Sequence, residues 1–486
     1  MRWSLASAAP PSFESMRHIT VLGLDLGTSG VKIALVDENL TVTAVASRPY
    51  AMYTDEPGQA EQYVGDWTAG IISALAELGD AVSEVAAVSL TGQMPTLVTL
   101  DDTGAVLGPA ITWQDSRADD LIKHRLSEEI RDRVARVSGA PIDGRYLGPM
   151  HLRRGGPAAT LLSARDYLFY WLTGDLATDP STASGYGVYD LETSDWSREL
   201  CGYLDLDPAL LPPVVPPTHH APLRHDRLPG IAIGTPVVLG GADSVSAHHW
   251  IERCTGEGVS IIDGSSTVIL ASFPERTAAP RGLLVTPLVE AGRFGVELDL
   301  LATGSSISWL ARLLGRSPKE LEALALGHPD PVNCAAVALP YLAGGEQGAL
   351  WRTDLTGTLA GLTLATTPAD LALALFEGIA FETWRCLTAT RLSSPCLTTV
   401  ATTDSALLRP AILAGLSNAK VSAVREASSS VLGAALLAFE ALEIPTAPAT
   451  RHEQELPHLS PHYRAALPER LRRYLANAPA LAATER

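Results

Sequence analysis

Residues 21–37 combine residue types that suit the binding of a phosphate group together with its metal ion. An apolar run reaches Asp25, the segment Gly27-Thr28-Ser29-Gly30 follows, and a second apolar run continues to the end of the stretch. The two glycines can adopt positive φ and bring backbone N–H groups close to an anion, and the two hydroxyls add donors. The Asp25 carboxylate disfavours a bare phosphate but suits one that carries Mg²⁺. The pattern predicts a strand, a tight turn and a strand that bind a nucleotide tail.

Two other interpretations of this stretch remain open at this point. A dinucleotide-binding fingerprint, Gly-x-Gly-x-x-Gly, opens a helix, whereas here Asp25 stands between the glycines and a β-rich run follows. A hairpin whose turn is rich in glycine, without any ligand, is the simpler alternative.

A second stretch repeats this order half a chain later. Residues 259–271 give an apolar run, Asp263, the segment Gly264-Ser265-Ser266 and a β-branched apolar run. We call Gly27–Gly30 the first turn and Gly264–Ser266 the second turn. Two copies of one hairpin indicate a duplicated fold that holds a phosphate tail between two clamps, with chance similarity of short turns as the alternative.

A carboxylate also stands just beyond a flexible turn, where the strand at 237–239 leads into Gly240-Gly241-Ala242-Asp243. In this position Asp243 can accept a proton from a substrate hydroxyl. Asp243 also suits the N-cap of the helix that follows, and the two roles are compatible.

Polar residues gather at the ends of two other predicted strands. Gln93 follows the strand at 85–90. A further predicted strand at 109–113 ends at Trp113, and Asp115 and Arg117 follow it. Because open α/β sheets bind ligands beyond strand ends, this cluster predicts a sugar site. Tryptophan can stack on a sugar face, and the two charged residues can hydrogen-bond its hydroxyls. An exposed Asp115–Arg117 pair without a ligand is the alternative.

The elements that must position these residues follow from hydrophobic periodicity. It predicts helices over 66–79, 163–173, 305–314, 368–389, 406–416 and 431–442, and strands over 85–90, 97–100 and 398–401. Strands and helices therefore mix along the whole chain. Because 486 residues are many for one core, two domains are expected.

The composition indicates which classes of partner and which cellular compartment to expect. A formal net charge of −18, with no Lys/Arg-rich run, disfavours nucleic acid and anionic membranes as partners. The five cysteines lack metal-ligand spacing and are typical of the reduced thiols of a cytoplasmic protein. No apolar run reaches transmembrane length, and residues 1–15 lack the apolar core of a signal peptide.

Taken together, these stretches resemble the FGGY carbohydrate kinases, and most of all their xylulokinase branch, from about residue 20 to residue 445. No single motif is decisive, but their order and spacing together are specific. The matching stretches are Gly23–Lys32, Gly92–Met94, Ile111–Arg117, Arg165–Leu168, Ala177–Ser184, Asp195–Ser197, Gly240–Asp243, Gly264–Ser266, Thr303-Gly304 and Val431–Ala435.

The resemblance implies an α/β fold with two actin-like, ribonuclease-H-like domains and a cleft between them. It implies MgATP in that cleft and phosphoryl transfer to a small-molecule sugar or polyol, and since many relatives are dimers, a homodimer is expected. We expect a disordered tail at 1–17, a sugar-binding domain with the first phosphate clamp at 18–241, a nucleotide-binding domain at 242–450 and a helical tail at 451–486.

The resemblance also assigns roles to individual residues. Asp243 is expected to be the catalytic base and Asp25 the residue nearest the metal. The expected sugar-binding residues are Gln93, Met94, Trp113, Asp115 and Arg117. The expected ATP and phosphate contacts are Gly27, Thr28, Ser29, Lys32, Gly264, Ser265, Ser266, Gly304 and Thr403.

Two departures from the family pattern bear on function. Xylulokinases usually carry Met-His-Gly where this chain has Met94-Pro95-Thr96, so the sugar contacts there must differ. The family's Gly-Gly-Gly-Ala nucleotide loop is replaced by Ala401-Thr402-Thr403-Asp404, whose side chains disfavour close approach of ATP. A catalytically weak sugar- or nucleotide-binding module is therefore an alternative to the kinase. An actin-like assembly ATPase is a third hypothesis, but it would not need the sugar-facing residues Trp113, Asp115 and Arg117.

Overall fold

The computed structural model describes residues 19–273, 283–352, 354–391, 396–401, 407–417, 419–426, 428–447 and 453–479. The expected disordered tail at 1–17 and the loop that contains Thr403 lie outside the described residues. Within this part of the chain, the backbone forms two α/β units, each built on one large mixed sheet.

The first half of the chain contains a six-stranded sheet, a four-stranded sheet and a short ribbon. Its strands are β1 (Thr20–Leu26), β2 (Gly30–Asp37), β3 (Val42–Pro49), β4 (Glu61–Gln62), β5 (Val85–Gly92), β6 (Thr96–Leu100), β7 (Ala110–Thr112), β8 (Thr160–Ser163), β9 (Tyr189–Asp190), β10 (Asp195–Trp196), β11 (His220–Pro222) and β12 (Pro236–Val238). Its helices are α1 (Val64–Leu78), α2 (Asp119–Arg125), α3 (Glu128–Ser138), α4 (Leu147–Arg154), α5 (Ala164–Thr173), α6 (Pro180–Ala183) and α7 (Arg198–Tyr203).

The second half contains a seven-stranded sheet and a two-stranded one. Its helices are α8 (Asp243–Thr255), α9 (Gly304–Leu313), α10 (Pro318–Leu326), α11 (Pro368–Ala389), α12 (Leu408–Leu416), α13 (Ser429–Ala441) and α14 (Pro461–Asn477). Its strands are β13 (Val259–Asp263), β14 (Thr267–Phe273), β15 (Leu284–Pro287), β16 (Phe294–Leu300), β17 (Val337–Leu339), β18 (Thr358–Ala360), β19 (Cys396–Ala401), β20 (Lys420–Arg425) and β21 (Glu453–Gln454).

The helices and strands predicted from periodicity are present, with ends that shift by a few residues. One expectation was wrong in detail: Ala242 is the N-cap of α8 and Asp243 is the first residue inside the helix. The expected C-terminal tail contains α14, whose Arg470 forms a buried ion pair with Glu377 of α11. None of the helices described here is long and apolar enough to span a bilayer.

The two large sheets share one arrangement of six strands. The first has the order β3-β2-β1-β5-β12-β11, and the second has the order β16-β14-β13-β19-β20-β21, with β15 as an additional strand beside β16. In each, an antiparallel hairpin, β1–β2 or β13–β14, continues into two parallel strands, β5 and β12 or β19 and β20. The duplicated fold that the repeated hairpin predicted is therefore present.

The apolar run before the first turn forms the central strand β1, which is covered on both faces. Leu22 and Leu24 pack in one core with Trp67 of α1, while Val21 packs in another core with Val431 of α13. A strand buried on both faces has a nearly continuous apolar sequence, as this one does. Its burial holds the first turn at one edge of the sheet.

Helix α13 connects the two halves of the molecule. It packs against α8 of the second half and against β1 and β5 of the first sheet. A Cβ atom on Gly433 would lie 1.7 Å from the carbonyl oxygen of Ser246 in α8, so the two helix backbones are in direct contact. The expected domain boundary between residues 241 and 242 would place α13 in the second domain. That boundary stays a prediction.

We expect Gly433→Ala to lower the free energy of unfolding by about 1–3 kcal/mol, because the added methyl group must separate α13 from α8. Gly65→Ala is the matched control: Gly65 is exposed in α1 with nothing near its Cβ position. Its stability should be unchanged or higher by up to about 1 kcal/mol. Urea unfolding of both variants measures this, and equal stabilities would show that the contact is not needed.

Candidate active site

A cavity of about 130 Å³ lies between the two large sheets, and both turns reach it. Thr28 of the first turn, Ser266 of the second turn and Asp243 of α8 all line this space. The two hairpins thus face one cavity, and the carboxylate at the start of α8 opens onto the same cavity.

Asp25 ends β1 beside the first turn and keeps one carboxylate oxygen without a partner. Its Oδ2 accepts a hydrogen bond from the Ser430 hydroxyl at 2.6 Å, whereas its buried Oδ1 has no partner among the described residues. Burial raises the pKa of Asp25, and the Ser430 hydrogen bond and the Lys32 charge lower it. An unpartnered carboxylate oxygen fits Mg²⁺, which prefers one or two carboxylates together with phosphate oxygens. The amides and hydroxyls of the adjacent first turn suit the phosphate.

The first turn is positioned by hydrogen bonds to neighbouring side chains. The Gly27 amide donates to the Gly30 carbonyl at 3.1 Å and closes the turn. The Trp113 indole N–H donates to the Thr28 hydroxyl at 2.9 Å, and the Gln62 amide donates to the Thr28 carbonyl at 2.7 Å. Ser29 is exposed at the tip, and Lys32 lies opposite Asp25 in the β1–β2 register.

The second turn is docked on the N-terminus of α9. The Gly264 amide donates to the Ser266 carbonyl at 2.8 Å, and the Ser265 carbonyl accepts the Ser305 amide at 3.0 Å. A Cβ atom on Gly304 would lie 2.2 Å from the Gly264 carbonyl oxygen, so only glycine allows this approach. The amides at the start of α9 therefore lie next to the second turn, where the helix dipole favours an anion.

The two hairpins differ in their electrostatics although their backbones match. Asp263, the counterpart of Asp25, forms a buried ion pair with Arg409 at 3.0 Å and accepts the Thr267 hydroxyl at 2.6 Å. Its charge is therefore balanced within the protein. The contacts favour a metal at Asp25 rather than at Asp263.

Asp243 lies at the cavity with a carboxyl group that holds its proton unusually well. Burial and the negative charge of Asp25 raise its pKa to about 8, against the hydrogen bond from the Ser244 amide, and Glu297 adds to the rise. A carboxyl group with a pKa in this range can accept a proton near neutral pH.

A buried ion network holds the turn that precedes Asp243. Arg165 donates to the carbonyl oxygens of Leu239 and Gly240 at 2.9 and 2.6 Å. It also pairs with Asp166 and Asp179 at 2.8 and 2.7 Å. The motifs at 165–168 and 177–184 thus support the turn that precedes Asp243.

The residues predicted to bind a sugar fall into two groups. Met94 and Trp113 line the cavity, as does Pro95. Gln93 is buried behind the first turn and donates to Gln62 at 2.9 Å. Asp115 and Arg117 form an ion pair at 2.7 Å that also involves Glu61 of β4. Direct contact between these last three residues and a sugar stays a prediction, and their contacts favour a supporting role.

The structure adds cavity residues that sequence reasoning missed. They include Arg145, Tyr146, Glu297, Asp299, Gln347 and Trp351. The sequence held one usable signal: Glu297 and Asp299 are two acids at alternate positions of an otherwise apolar strand, so they share one face of β16. Arg145 and Ser430 carried no comparable pattern.

Family models match both halves of the chain. The description "FGGY family of carbohydrate kinases, N-terminal domain" matches residues 20–248, and its C-terminal-domain counterpart matches residues 259–442. A xylulose kinase of Bacillus subtilis (strain 168) is 28% identical over 468 residues, which cover 87% of this chain and 89% of that protein.

Two further relatives differ in their named substrates. A glycerol kinase of Trichlorobacter lovleyi is 30% identical over 393 residues, which cover 75% of this chain and 77% of that protein. The crystal structure of a gluconate kinase from Lactobacillus acidophilus superposes with a TM-score of 0.83 at 21% identity, covering 95% of this chain and 98% of that one. The structural match confirms the two-domain fold expected from the sequence.

We expect Arg165→Met to lower the free energy of unfolding by about 3–5 kcal/mol, because two buried carboxylates lose their cation. Arg133→Met is the control, since Arg133 forms an exposed pair with Glu199 that is screened by solvent, and its loss should change the stability little. Chemical denaturation measures both. Equal losses in the two variants would contradict the role of the buried network.

Proposed function

Since the chain belongs to the FGGY family of carbohydrate kinases, we propose that it transfers the γ-phosphoryl group of MgATP to a hydroxyl of a ketose such as D-xylulose or of a related polyol. One observation carries this proposal: Thr28, Ser266 and Asp243 line a single cavity. The two turns can bracket a phosphate chain while the carboxylate meets the acceptor alcohol.

The chemistry asks mainly for positioning and for stabilisation of charge. The acceptor oxygen forms a bond to the γ-phosphorus as the bond from that phosphorus to the β–γ bridging oxygen breaks, and ADP leaves with that electron pair. Asp243 accepts the hydroxyl proton. A base positioned in this way contributes about 10²–10⁴-fold to the rate.

The remaining roles follow from the contacts. Asp25, held by Ser430 and Lys32, is the residue that would hold Mg²⁺ through its unpartnered oxygen. The metal ion would supply charge neutralisation to the phosphates. Backbone N–H groups and hydroxyls of the two turns, with the start of α9 beside Gly304, would orient the phosphate chain.

A second candidate is a binding module with weak catalysis, which the sequence Ala401-Thr402-Thr403-Asp404 favours because side chains replace glycines at the nucleotide loop. Calorimetry distinguishes the two candidates. Tight sugar binding without ATP binding would favour the module, whereas binding of both supports the kinase.

We expect Asp243→Asn to reduce ADP release by at least about 10²-fold with every acceptor that supports turnover, because the hydroxyl proton loses its acceptor. Asp80→Asn, at an exposed position after α1, serves as the matched control and should retain activity. A coupled assay with MgATP and a panel of ketoses and polyols measures this. Equal turnover by Asp243→Asn would remove Asp243 from the proposed role.

We also expect kcat/KM for the acceptor to rise with pH, with a midpoint at or below about pH 8. The base must be deprotonated, and the pKa of Asp243 is raised to about 8 by burial and the charge of Asp25, which a bound metal would offset in part. Removing a negative neighbour with Glu297→Gln should move the midpoint to lower pH. A flat profile between pH 6 and 9, or a shift to higher pH, would contradict the assignment.

A further inference from the structure

Arg145 is a buried cation at the cavity whose charge is not paired within the described part of the chain. Only 8% of the residue is exposed, and it lines the cavity together with Glu297 and Asp299. Among the described residues, its Nε has no hydrogen-bond partner, and its Nη2 makes one long contact, 3.4 Å, with the Gly344 carbonyl. No carboxylate among the described residues forms an ion pair with it, in contrast to buried Arg165, Arg385, Arg409 and Arg470.

A buried guanidinium without a counter-ion is costly, so its place at a cavity indicates an anionic ligand. Burial raises the pKa of Asp143 and the charge of Arg145 lowers it, but Asp143, Glu297 and Asp299 form no ion pair with the guanidinium. Asp143 accepts the Gln347 amide at 2.9 Å and the Arg145 backbone amide at 2.8 Å. Burial raises the pKa of Glu297 to about 7 and that of Asp299 well above its ordinary value, so burial disfavours the negative charge with which either group would balance Arg145.

Arg145 lies beside the residues that are predicted to contact the acceptor. A Cβ atom on Gly187 would lie 3.2 Å from Tyr146, the next residue after Arg145, and a Cβ atom on Gly185 would lie 2.9 Å from Met94. Arg145, Tyr146, Gly185 and Met94 all line the cavity. The guanidinium is therefore on the side of the cavity where the sequence predicts the sugar.

We propose that Arg145 binds a carboxylate group of the acceptor, so that the polyol phosphorylated by this protein is a polyhydroxy acid of the aldonate class. This rests on the kinase activity proposed above. The guanidinium can bind a carboxylate through two parallel N–H donors, a geometry that neutral sugars cannot use. With its acid end held by Arg145, the acceptor extends along Asp299 and Glu297 toward Asp243.

The test compares acceptors that differ only at one carbon. Xylonate and xylitol, ribonate and ribitol, and gluconate and glucitol form such pairs of acid and alcohol. ADP release with MgATP gives kcat/KM for each member, and calorimetry in the Asp243→Asn background gives binding without turnover. We expect at least one acid to exceed its alcohol and also D-xylulose in kcat/KM.

Substitution of Arg145 then assigns that preference. In Arg145→Met the ratio of acid to alcohol should fall about 10- to 100-fold, the range for hydrogen bonds to a charged group. Arg145→Lys, which keeps a point charge but not the fork, should restore part of the ratio. Arg153→Met, at an exposed position of α4, should leave it unchanged. If Arg145→Met fails to fold, the ratios of the wild type and Arg145→Lys decide.

The outcomes separate the two proposals. If neutral acceptors are phosphorylated and the acids neither react nor bind better, the carboxylate assignment fails and the kinase stands. An equal acid-to-alcohol ratio in wild type and Arg145→Met also overturns the assignment. If acids bind through Arg145 but no acceptor is phosphorylated, the kinase activity fails while the carboxylate site stands.

Discussion

The whole arrangement depends on the packing of helix α13 across the junction of the two sheets. From one face of this helix, Ser430 holds the carboxylate of Asp25, and Val431 closes on the backbone of β1 at Gly23. One turn later, Gly433 contacts the backbone of α8, the helix that begins with Asp243. A single helix therefore contacts both the strand that carries Asp25 and the helix that begins with Asp243. Because interiors are close-packed, a small change in this helix is transmitted to both groups.

The second organising feature is the way in which the protein distributes charge around the cavity. Asp263 and Asp179 have arginine partners, and their charges are balanced inside the fold. Asp25, beside the first turn, and Arg145, at the cavity, each keep a buried polar atom without a partner among the described residues. Unsatisfied buried polar groups cost stability, so their retention at a cavity marks the places where a ligand completes the structure. Buried polar atoms without partners at the site are therefore the features that point to bound ligands.

Local pattern predicted a large part of this structure. The repeated apolar run, acid and Gly/Ser turn gave the two hairpins at 25–30 and 263–266, and periodicity gave the long helices, because both depend on neighbours in sequence. The pattern around Asp115 and Arg117 was chemically similar to that of a ligand site. Their contacts show a partly buried ion pair that also includes Glu61 of β4, and such charged side chains serve ligand binding and folding equally well.

The sequence by itself determined the fold class, the duplication, and the candidates Asp25, Thr28, Ser266 and Asp243, because each sits in a motif of adjacent residues. Only the tertiary structure decided that these motifs share one cavity and that Asp263 is neutralised by Arg409. It also decided that Arg145, Glu297 and Asp299 join the site. The physical reason is that pairing of charges and lining of a cavity are contacts between residues far apart in the chain, and no local spacing encodes them.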